Sequence, residues 1–123
     1  MRSYLASFAA RDVDRIAAHV SEGFVNDHTA KLGSGCVGKT AYAERLPGFL
    51  ADMVDLEYHV EDLVAAGDRV AVFYRMTARY QGASAIEIRG AQRLVVREGL
   101  SAHRTDYWDG AVLLDQIDGW EST

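Results

Sequence analysis

The sequence has one cysteine, one proline and no long apolar run, and its formal net charge is −5. The single cysteine, Cys36, excludes an internal disulfide and a cysteine-based zinc cluster. No apolar run approaches the ~18 residues that a membrane span needs, and charges at positions 11 and 12 interrupt the apolar patch that a signal peptide would require. Nucleic-acid binding is disfavoured, because affinity for a phosphate backbone depends on a basic stripe. We therefore expect a cytoplasmic protein with no membrane and no nucleic-acid partner.

The stretch GSGCVGKT, residues 33–40, matches the phosphate-binding template G-x-x-x-x-G-K-[ST] letter for letter. Such a loop lies between a buried parallel strand and a long helix, in a sheet built from right-handed crossovers. Here the preceding segment, FVNDHTAKL, is too polar for a strand covered on both faces, and a meander without crossover helices follows. We interpret the match as a loop, reject a nucleotide site and expect no cofactor.

The length and composition are those of one globular domain, and we expect a single domain over residues 1–123. Over residues 3–20 apolar side chains recur every three or four positions, which predicts an amphipathic helix that Asp12 restarts as an N-cap. A short strand is predicted over residues 23–29. Thr40 is expected to cap a second helical stretch, YAERLPGFLADM, which Pro47 and Gly48 should kink or split.

From Leu56 onward apolar and polar residues alternate with a period of two, which predicts β-strands. The segments AAGDR, QGAS and REGL supply tight turns, so consecutive strands should be antiparallel. The chain then reaches GAVLLDQI, residues 110–117, which we expect to form a short apolar helix or turn over one end of the sheet.

Three phrases of the sequence carry a resemblance to a known family: SYLASFAARDVDRIAAHVSEGFVNDH, VEDLVAAGDRVAVFYRM and REGLSAHRTDYWDGAVLLDQI. Together they resemble the SnoaL-like branch of the nuclear transport factor 2 (NTF2) superfamily, which also contains ketosteroid isomerase and limonene epoxide hydrolase. The resemblance implies an α+β cone, in which N-terminal helices pack on a strongly curved, mainly antiparallel sheet that encloses a pocket. It also implies a homodimer formed through the convex face. Because this fold hosts cyclases, isomerases, hydrolases and non-catalytic binders, it does not by itself select an activity.

In such a cone, strand alternation assigns each residue to one face of the sheet. The concave, pocket-lining face should carry the apolar residues Leu56, Tyr58, Val60, Val72, Tyr74, Met76, Ile86, Ile88 and Leu94. The convex face should carry Glu57, Glu61, Arg75, Arg79, Glu87, Arg89 and Arg93, which we interpret as cross-strand ion pairs rather than an anion site. Aromatic walls, including Trp108, would suit a small apolar or ring-shaped ligand.

A few polar residues share this concave face: Asn26, His28, Gln92, Arg104 and Asp106. Burying such groups unpaired costs ~1–3 kcal/mol each, so they must pair with one another or face a ligand. The leading hypothesis is that His28 and Asp106 meet across the pocket as an acid–base pair that acts on a carbonyl-containing ligand. Which of the two is the base stays open at this stage. The predicted substrate-binding residues are Asn26, Gln92, Tyr4, Arg104, Tyr58, Tyr74, Met76, Ile88 and Trp108.

The sites of the relatives are matched only in part. Tyr4 falls where the isomerases have a tyrosine that donates to the oxyanion, and His28 falls on their catalytic aspartate. Asp106 resembles an acid of the epoxide hydrolase and the acid–base aspartate of the cyclases. The alternatives that stay open are an epoxide hydrolase-like enzyme, a non-catalytic hydrophobic ligand-binding homodimer, and a dimeric scaffold with a collapsed pocket. A closed structural pair of Arg104 and Asp106, which lie two apart on one strand face, is open as well. No metal site is predicted, since no histidine pair has ligand spacing with a third ligand.

Overall fold

The fold is taken from a computed structural model that describes residues 2–28 and 35–116. Within these ranges the elements follow in the order α1 (Arg2–Ser7), α2 (Val13–Ala17), β1 (Val20–His28), β2 (Cys36–Val37), α3 (Lys39–Asp52), β3 (Met53–Ala66), β4 (Arg69–Tyr80), β5 (Ser84–Arg97), β6 (Leu100–Tyr107) and α4 (Gly110–Gln116).

The strands form one six-stranded sheet with the spatial order β2-β1-β6-β5-β4-β3. Strands β3 to β6 are an antiparallel meander, as the tight turns predicted. Strand β1 lies parallel to β6, at the other end of the chain, and β2 pairs antiparallel with the outer edge of β1. Register shifts in β3 mark bulges, which bend a strand and increase its twist. A curved, mostly antiparallel sheet with a few helices confirms the predicted α+β cone.

The N-terminal helical segment is divided where the sequence predicted a restart. The Asp12 carboxylate accepts hydrogen bonds from the backbone amides of Asp14, at 3.0 Å, and Arg15, at 3.4 Å, and so caps α2. The predicted helix is nevertheless too long, since α2 ends at Ala17 and Val20 begins β1. Val20 fits the helical spacing of apolar residues, but it is apolar because it is buried at the start of a strand.

Helix α3 corrects two details of the prediction. Its N-cap is Gly38, not Thr40, and the helix continues from Lys39 to Asp52 without being split at Pro47. Pro47 lies on the exposed side of α3, where the carbonyl that loses its partner can be hydrated. The opposite side packs onto the sheet through three buried residues spaced four apart: Tyr42, Leu46 and Leu50. This tertiary packing outweighs the local preference of proline.

The phosphate-loop template does not form the element that its letters suggest. Residues 33 and 34 lie outside the described residues, as does residue 29 of the predicted first strand. Cys36, expected in a loop, and Val37 form β2 and pair with Asn26 and Val25. The second half of the template is therefore a short strand followed by the start of α3.

The C-terminal segment forms a short helix, as predicted. In α4, Leu113 is buried, and the Gln116 side chain bonds the backbone of Glu87 on β5, accepting from its amide at 2.6 Å and donating to its carbonyl at 2.9 Å. Residue 117, the last of the predicted apolar segment, lies outside the described residues. This helix covers one end of the sheet.

The two faces of the sheet follow the predicted alternation. Of the residues assigned to the concave face, Tyr58 and Val60 are half-buried and the others are buried: Leu56, Val72, Tyr74, Met76, Ile86, Ile88 and Leu94. On the convex face, three arginines make the ion pairs Arg79–Asp55 at 2.9 Å, Arg89–Glu61 at 2.9 Å and Arg75–Glu87 at 4.0 Å. Of the helices in the described ranges, none is long and apolar enough to span a membrane.

Candidate functional site

A cavity of about 360 Å³ lies between α3 and the buried face of the sheet. Seven of its lining residues are aromatic, and a smaller polar group is concentrated on β1 and β6. The lining consists of Phe8, Asn26, His28, Tyr42, Arg45, Leu46, Phe49, Asp52, Met53, Tyr58, Tyr74, Met76, Tyr80, Ile88, Arg104, Asp106, Trp108 and Leu113. Apolar walls with a few converging polar groups are typical of small-molecule sites.

The polar wall is created by the parallel pairing of β1 and β6. In this register Asn26 lies opposite Arg104, and His28 lies opposite Asp106. Residues two apart on a strand share a face, so all four side chains are directed to the same side of the sheet and line the cavity. His28 and Asp106 are therefore neighbours on adjacent strands, rather than partners across the pocket as the sequence hypothesis had placed them.

Asp106 is 4% exposed and is held by neutral donors. The Tyr74 hydroxyl donates to its Oδ1 at 2.7 Å, and the Gln92 amide donates to its Oδ2 at 3.4 Å. The Arg104 Nη2 atom is 4.0 Å from the same Oδ2, which is beyond the 2.7–2.9 Å typical of a charge-assisted hydrogen bond. Tyr74 and Gln92 therefore orient the carboxylate, with the charge of Arg104 nearby.

Tyr74 reaches Asp106 because Gly90 has no side chain. A Cβ at Gly90 would lie 2.5 Å from the Tyr74 hydroxyl oxygen and 2.8 Å from the Tyr107 carbonyl oxygen. Both distances are shorter than real Cβ contacts, so even alanine would displace its surroundings. Burial and the nearby Asp106 raise the pKa of Tyr74, which keeps its hydroxyl protonated and able to donate.

Arg104 is 5% exposed and lies at the centre of a second network. Its Nε donates to Asn26 Oδ1 at 3.2 Å, and its Nη1 donates to the Tyr4 hydroxyl at 2.7 Å. Its guanidinium carbon also lies 5.8 Å from the ring centre of Tyr4 and 6.0 Å from that of Tyr42, within the range of cation–π attraction. Although burial opposes the charge, the surrounding oxygens of Tyr4, Tyr42 and Asp106 hold the pKa of Arg104 well above its usual range.

His28 is half-buried and accepts a hydrogen bond from the Trp108 indole at 3.3 Å through Nδ1. Burial and the positive charge of Arg104 lower its pKa, and Asp106 opposes them only in part. The imidazole is therefore neutral at pH 7. Because the indole N–H can only donate, Nδ1 must be the unprotonated nitrogen, and the ring proton is assigned to Nε2. His28 consequently offers an N–H donor rather than a free base.

Most of the predicted site residues line the cavity together: Asn26, His28, Tyr58, Tyr74, Met76, Ile88, Arg104, Asp106 and Trp108. Tyr4 and Gln92, expected to contact the ligand, are not among the lining residues. They lie behind it, almost fully buried, where Tyr4 bonds Arg104 and Gln92 bonds Asp106.

The sequence hypothesis expected helices to line the pocket but named no residue of α3. Tyr42, Arg45 and Asp52 line the cavity from this helix, and Tyr80 lines it from the end of β4. The spacing of Tyr42, Leu46 and Leu50 could have predicted that one side of α3 faces inward. That the Tyr42 hydroxyl meets Tyr4, at 2.5 Å, depends on packing between distant segments. Over residues 2–28 and 35–116, no three His, Cys, Asp or Glu side chains are grouped as metal ligands.

Comparisons with solved structures show the same architecture. A protein with a ketosteroid isomerase-like fold from Catenulispora acidiphila, crystallised with trimethylamine, superposes with a TM-score of 0.86 at 16% identity, covering 94% of this chain and 88% of that one. A protein described as a SnoaL-like polyketide cyclase from Shewanella denitrificans gives 0.81 at 14% identity, covering 94% and 91%. An LEH-like epoxide hydrolase from M. tuberculosis gives 0.80 at 18% identity, covering 93% and 83%.

At these identities the structural likeness establishes the fold and no activity. No curated protein matches the chain. A comparison with family models identifies the family: residues 1–104 match the SnoaL-like domain. That match covers most of the sequence, including β1 and the larger part of the meander. The chain therefore belongs to the SnoaL-like domain family of the NTF2-like superfamily.

Proposed function

We propose that the protein is an enzyme that carries out acid–base chemistry on an apolar, carbonyl-containing ligand bound in the cavity, in the manner of a polyketide cyclase or an isomerase. The observation that carries this proposal is the pairing of His28 with Asp106 on adjacent strands, at the polar wall of an otherwise aromatic cavity. Similarity to a SnoaL-like polyketide cyclase and to a ketosteroid isomerase-like fold supports the same class of chemistry.

In the proposed step, Asp106 is the base. Its carboxylate takes a proton from the carbon next to the ligand's carbonyl group. The electron pair of the broken C–H bond forms a C=C bond, and the π pair of the carbonyl moves to its oxygen, which gives an enolate. Tyr74 and Gln92 fix the orientation of the carboxylate. Because its Nδ1 accepts from Trp108, His28 is the hydrogen-bond donor, and its Nε2–H stabilises the enolate oxygen. Return of the proton from Asp106 to a different carbon would complete an isomerisation. Attack of the enolate carbon on a second carbonyl, with transfer of the proton from Asp106 to the alkoxide that forms there, would complete a cyclisation.

Hydrogen–deuterium exchange next to the carbonyl of 1-tetralone tests the proposed step, because exchange requires only enolisation. The protein is expected to accelerate exchange in D₂O, followed by NMR, and Asp106→Asn is expected to abolish the acceleration while leaving the fold intact. Asp27→Asn is the matched control, since Asp27 is on the same strand as His28 but exposed. Full exchange activity in Asp106→Asn would contradict the assignment of the base.

An epoxide hydrolase-like activity is the second candidate, favoured by the cluster of Asn26, Arg104 and Asp106 on one wall of the cavity. In that reaction Asp106 would take a proton from water, and the water oxygen would attack the epoxide carbon while the C–O bond breaks. The ring oxygen released in this way would take up a proton from solvent, which gives a diol. Turnover of styrene oxide, without exchange of 1-tetralone, would select this candidate. A non-catalytic binder would bind 1-tetralone with equal affinity before and after Asp106→Asn and would transform neither probe.

We also propose that the convex face of the sheet forms a homodimer. Cross-strand neighbours Phe73, Ala91 and Tyr107 make an apolar row over β4, β5 and β6, and Phe73 and Tyr107 are each 44% exposed. Arginines flank this row on both sides. The cross-strand pair Arg75 and Arg89 lies on one side of it, and Arg93 lies on the other. Large exposed apolar side chains bordered by charge are typical of a protein interface.

A further inference from the structure

We propose that Tyr42 donates its hydroxyl proton to an oxygen of the ligand, as a second donor beside His28, and that Tyr4 is the positioning residue behind it. The inference deepens the proposed function and rests on it for the identity of the reacting oxygen. It reverses the expectation from the sequence, in which Tyr4 itself was the donor.

The position of the two tyrosines decides which of them can reach a ligand. Tyr4 is 0% exposed and is not among the residues that line the cavity, whereas Tyr42 lines it from α3. Their hydroxyl oxygens are 2.5 Å apart, so Tyr4 lies directly behind Tyr42. Arg104, which itself lines the cavity beside this pair, donates to the Tyr4 hydroxyl at 2.7 Å. The three groups form a hydrogen-bonded chain in which Tyr42, and not Tyr4, is the tyrosine that lines the cavity.

The number of protons in this chain fixes its direction. Arg104 can only donate, so the Tyr4 oxygen accepts from it. One hydroxyl proton lies between the two tyrosine oxygens, and the other must go elsewhere. If Tyr42 donated to Tyr4, the proton of Tyr4 would be left within a fully buried residue that has no further acceptor among the described residues. Donation from Tyr4 to Tyr42 avoids this cost and leaves the Tyr42 proton available in the cavity.

The chain also holds the Tyr42 hydroxyl in place as a neutral donor. The bond from the Arg104 guanidinium fixes the Tyr4 hydroxyl, and the Tyr4 hydroxyl in turn orients that of Tyr42. Burial and the neighbouring Tyr4 raise the pKa of Tyr42, so the hydroxyl remains protonated at neutral pH. Negative charge that develops on a ligand oxygen would thus be connected through two hydroxyl groups to the buried charge of Arg104.

Binding of 4-nitrophenolate tests the proposal, because its phenolate oxygen represents the enolate oxygen and its ring suits the aromatic cavity. Tyr42→Phe is expected to weaken binding by about 10- to 100-fold, the range of one hydrogen bond to a charged group. Tyr4→Phe retains the Tyr42 donor and should weaken binding by no more than about threefold. Tyr107→Phe, which removes a tyrosine hydroxyl on the exposed convex face outside the cavity, is the matched control and should change binding little.

Nitrobenzene, which lacks the charged oxygen, separates a donor from a residue that only maintains the shape of the cavity. Tyr42→Phe should leave nitrobenzene binding unchanged, whereas a purely structural role would weaken both ligands equally and would overturn the proposal. A greater loss of nitrophenolate binding in Tyr4→Phe than in Tyr42→Phe would overturn it as well. If Tyr42→Phe does not fold, Tyr4→Phe alone still decides, because strong binding in that variant excludes Tyr4 as the donor.

The proposed function and the donor assignment can fail separately. If nitrophenolate binding depends on Tyr42 but the protein does not accelerate exchange of 1-tetralone, the assignment of Tyr42 as donor holds and the enolisation chemistry is rejected. Exchange that depends on Asp106, with nitrophenolate binding indifferent to Tyr42, would retain the chemistry and reject the donor.

Discussion

Replacing Gly90 by alanine should disturb Asp106 without touching it. The new Cβ would lie 2.5 Å from the Tyr74 hydroxyl oxygen, whereas ordinary contact begins at 3.4 Å, so the hydroxyl must retreat by about 0.9 Å. A displacement of this size is enough to break the 2.7 Å hydrogen bond to Asp106. The Tyr107 carbonyl oxygen, 2.8 Å from the same Cβ, belongs to the backbone and cannot easily yield.

Two costs contribute to the expected loss of stability. Overpacking of a core position costs ~1–3 kcal/mol, and loss of a hydrogen bond to a charged group costs ~1.5–3 kcal/mol. We expect Gly90→Ala to lower the free energy of unfolding by about 3–5 kcal/mol, measured by urea denaturation at pH 7, and to reduce the exchange of 1-tetralone as well. Gly48→Ala is the matched control, because nothing lies within 4 Å of a Cβ there.

A double-mutant cycle with Tyr74→Phe isolates the hydrogen bond. In the Tyr74→Phe background there is no hydroxyl, so the ring can shift and no bond to Asp106 is lost. The decrease in the free energy of unfolding caused by Gly90→Ala should therefore be smaller there by about 1.5–3 kcal/mol. Equal costs in the two backgrounds would refute the reasoning, since they would show that Gly90 does not act through the Tyr74 hydroxyl.

Two further predictions concern pH and assembly. Because burial and Arg104 lower the pKa of His28 from 6.5, the folded chain binds fewer protons than the unfolded chain, and its free energy of unfolding should fall as the pH drops below about 6.5. His28→Gln should show a smaller loss between pH 7.5 and pH 5.5 in urea denaturation, and an unchanged loss would contradict the assignment. Phe73→Glu should convert the proposed dimer into a monomer, measured by sedimentation equilibrium. Val112→Glu, a change at an exposed residue of α4, is the control and should leave the dimer intact. A dimer that persists in Phe73→Glu would exclude the convex face as the interface.

The features that the sequence predicted well are those decided by local patterns. Alternation with a period of two, interrupted by short turns, is enough to predict an antiparallel meander and the faces of its strands. The cap at Asp12 depends only on the backbone amides of the next turn. Each of these patterns involves residues that are neighbours in the sequence or one turn apart, so no knowledge of the tertiary structure is needed.

The features that were wrong or missed depend on contacts between distant segments. Pro47 and Gly48 were expected to kink or split α3; the helix is not split, because the packing of Tyr42, Leu46 and Leu50 on the sheet holds it together. The parallel pairing of β1 with β6 places His28 beside Asp106, and no local pattern predicts it. The contact between Tyr4 and Tyr42 likewise joins residues 38 positions apart.

The pairing of β1 with β6 also determines when the site can exist during folding. The bonds that join its polar groups are among the longest-range ones of the described residues. Their sequence separations are 78 positions for Asn26 and Arg104, 80 for His28 and Trp108, and 100 for Tyr4 and Arg104. Contacts of such separation require closure of a loop that includes the whole meander, and their entropic cost slows folding. A partly folded chain with an intact β3–β6 meander would hold Asp106 and Tyr74 but neither His28 nor the Arg104 network. Ligand binding that depends on these residues would thus report complete folding, and refolding followed by 4-nitrophenolate binding should lag behind refolding followed by formation of the sheet.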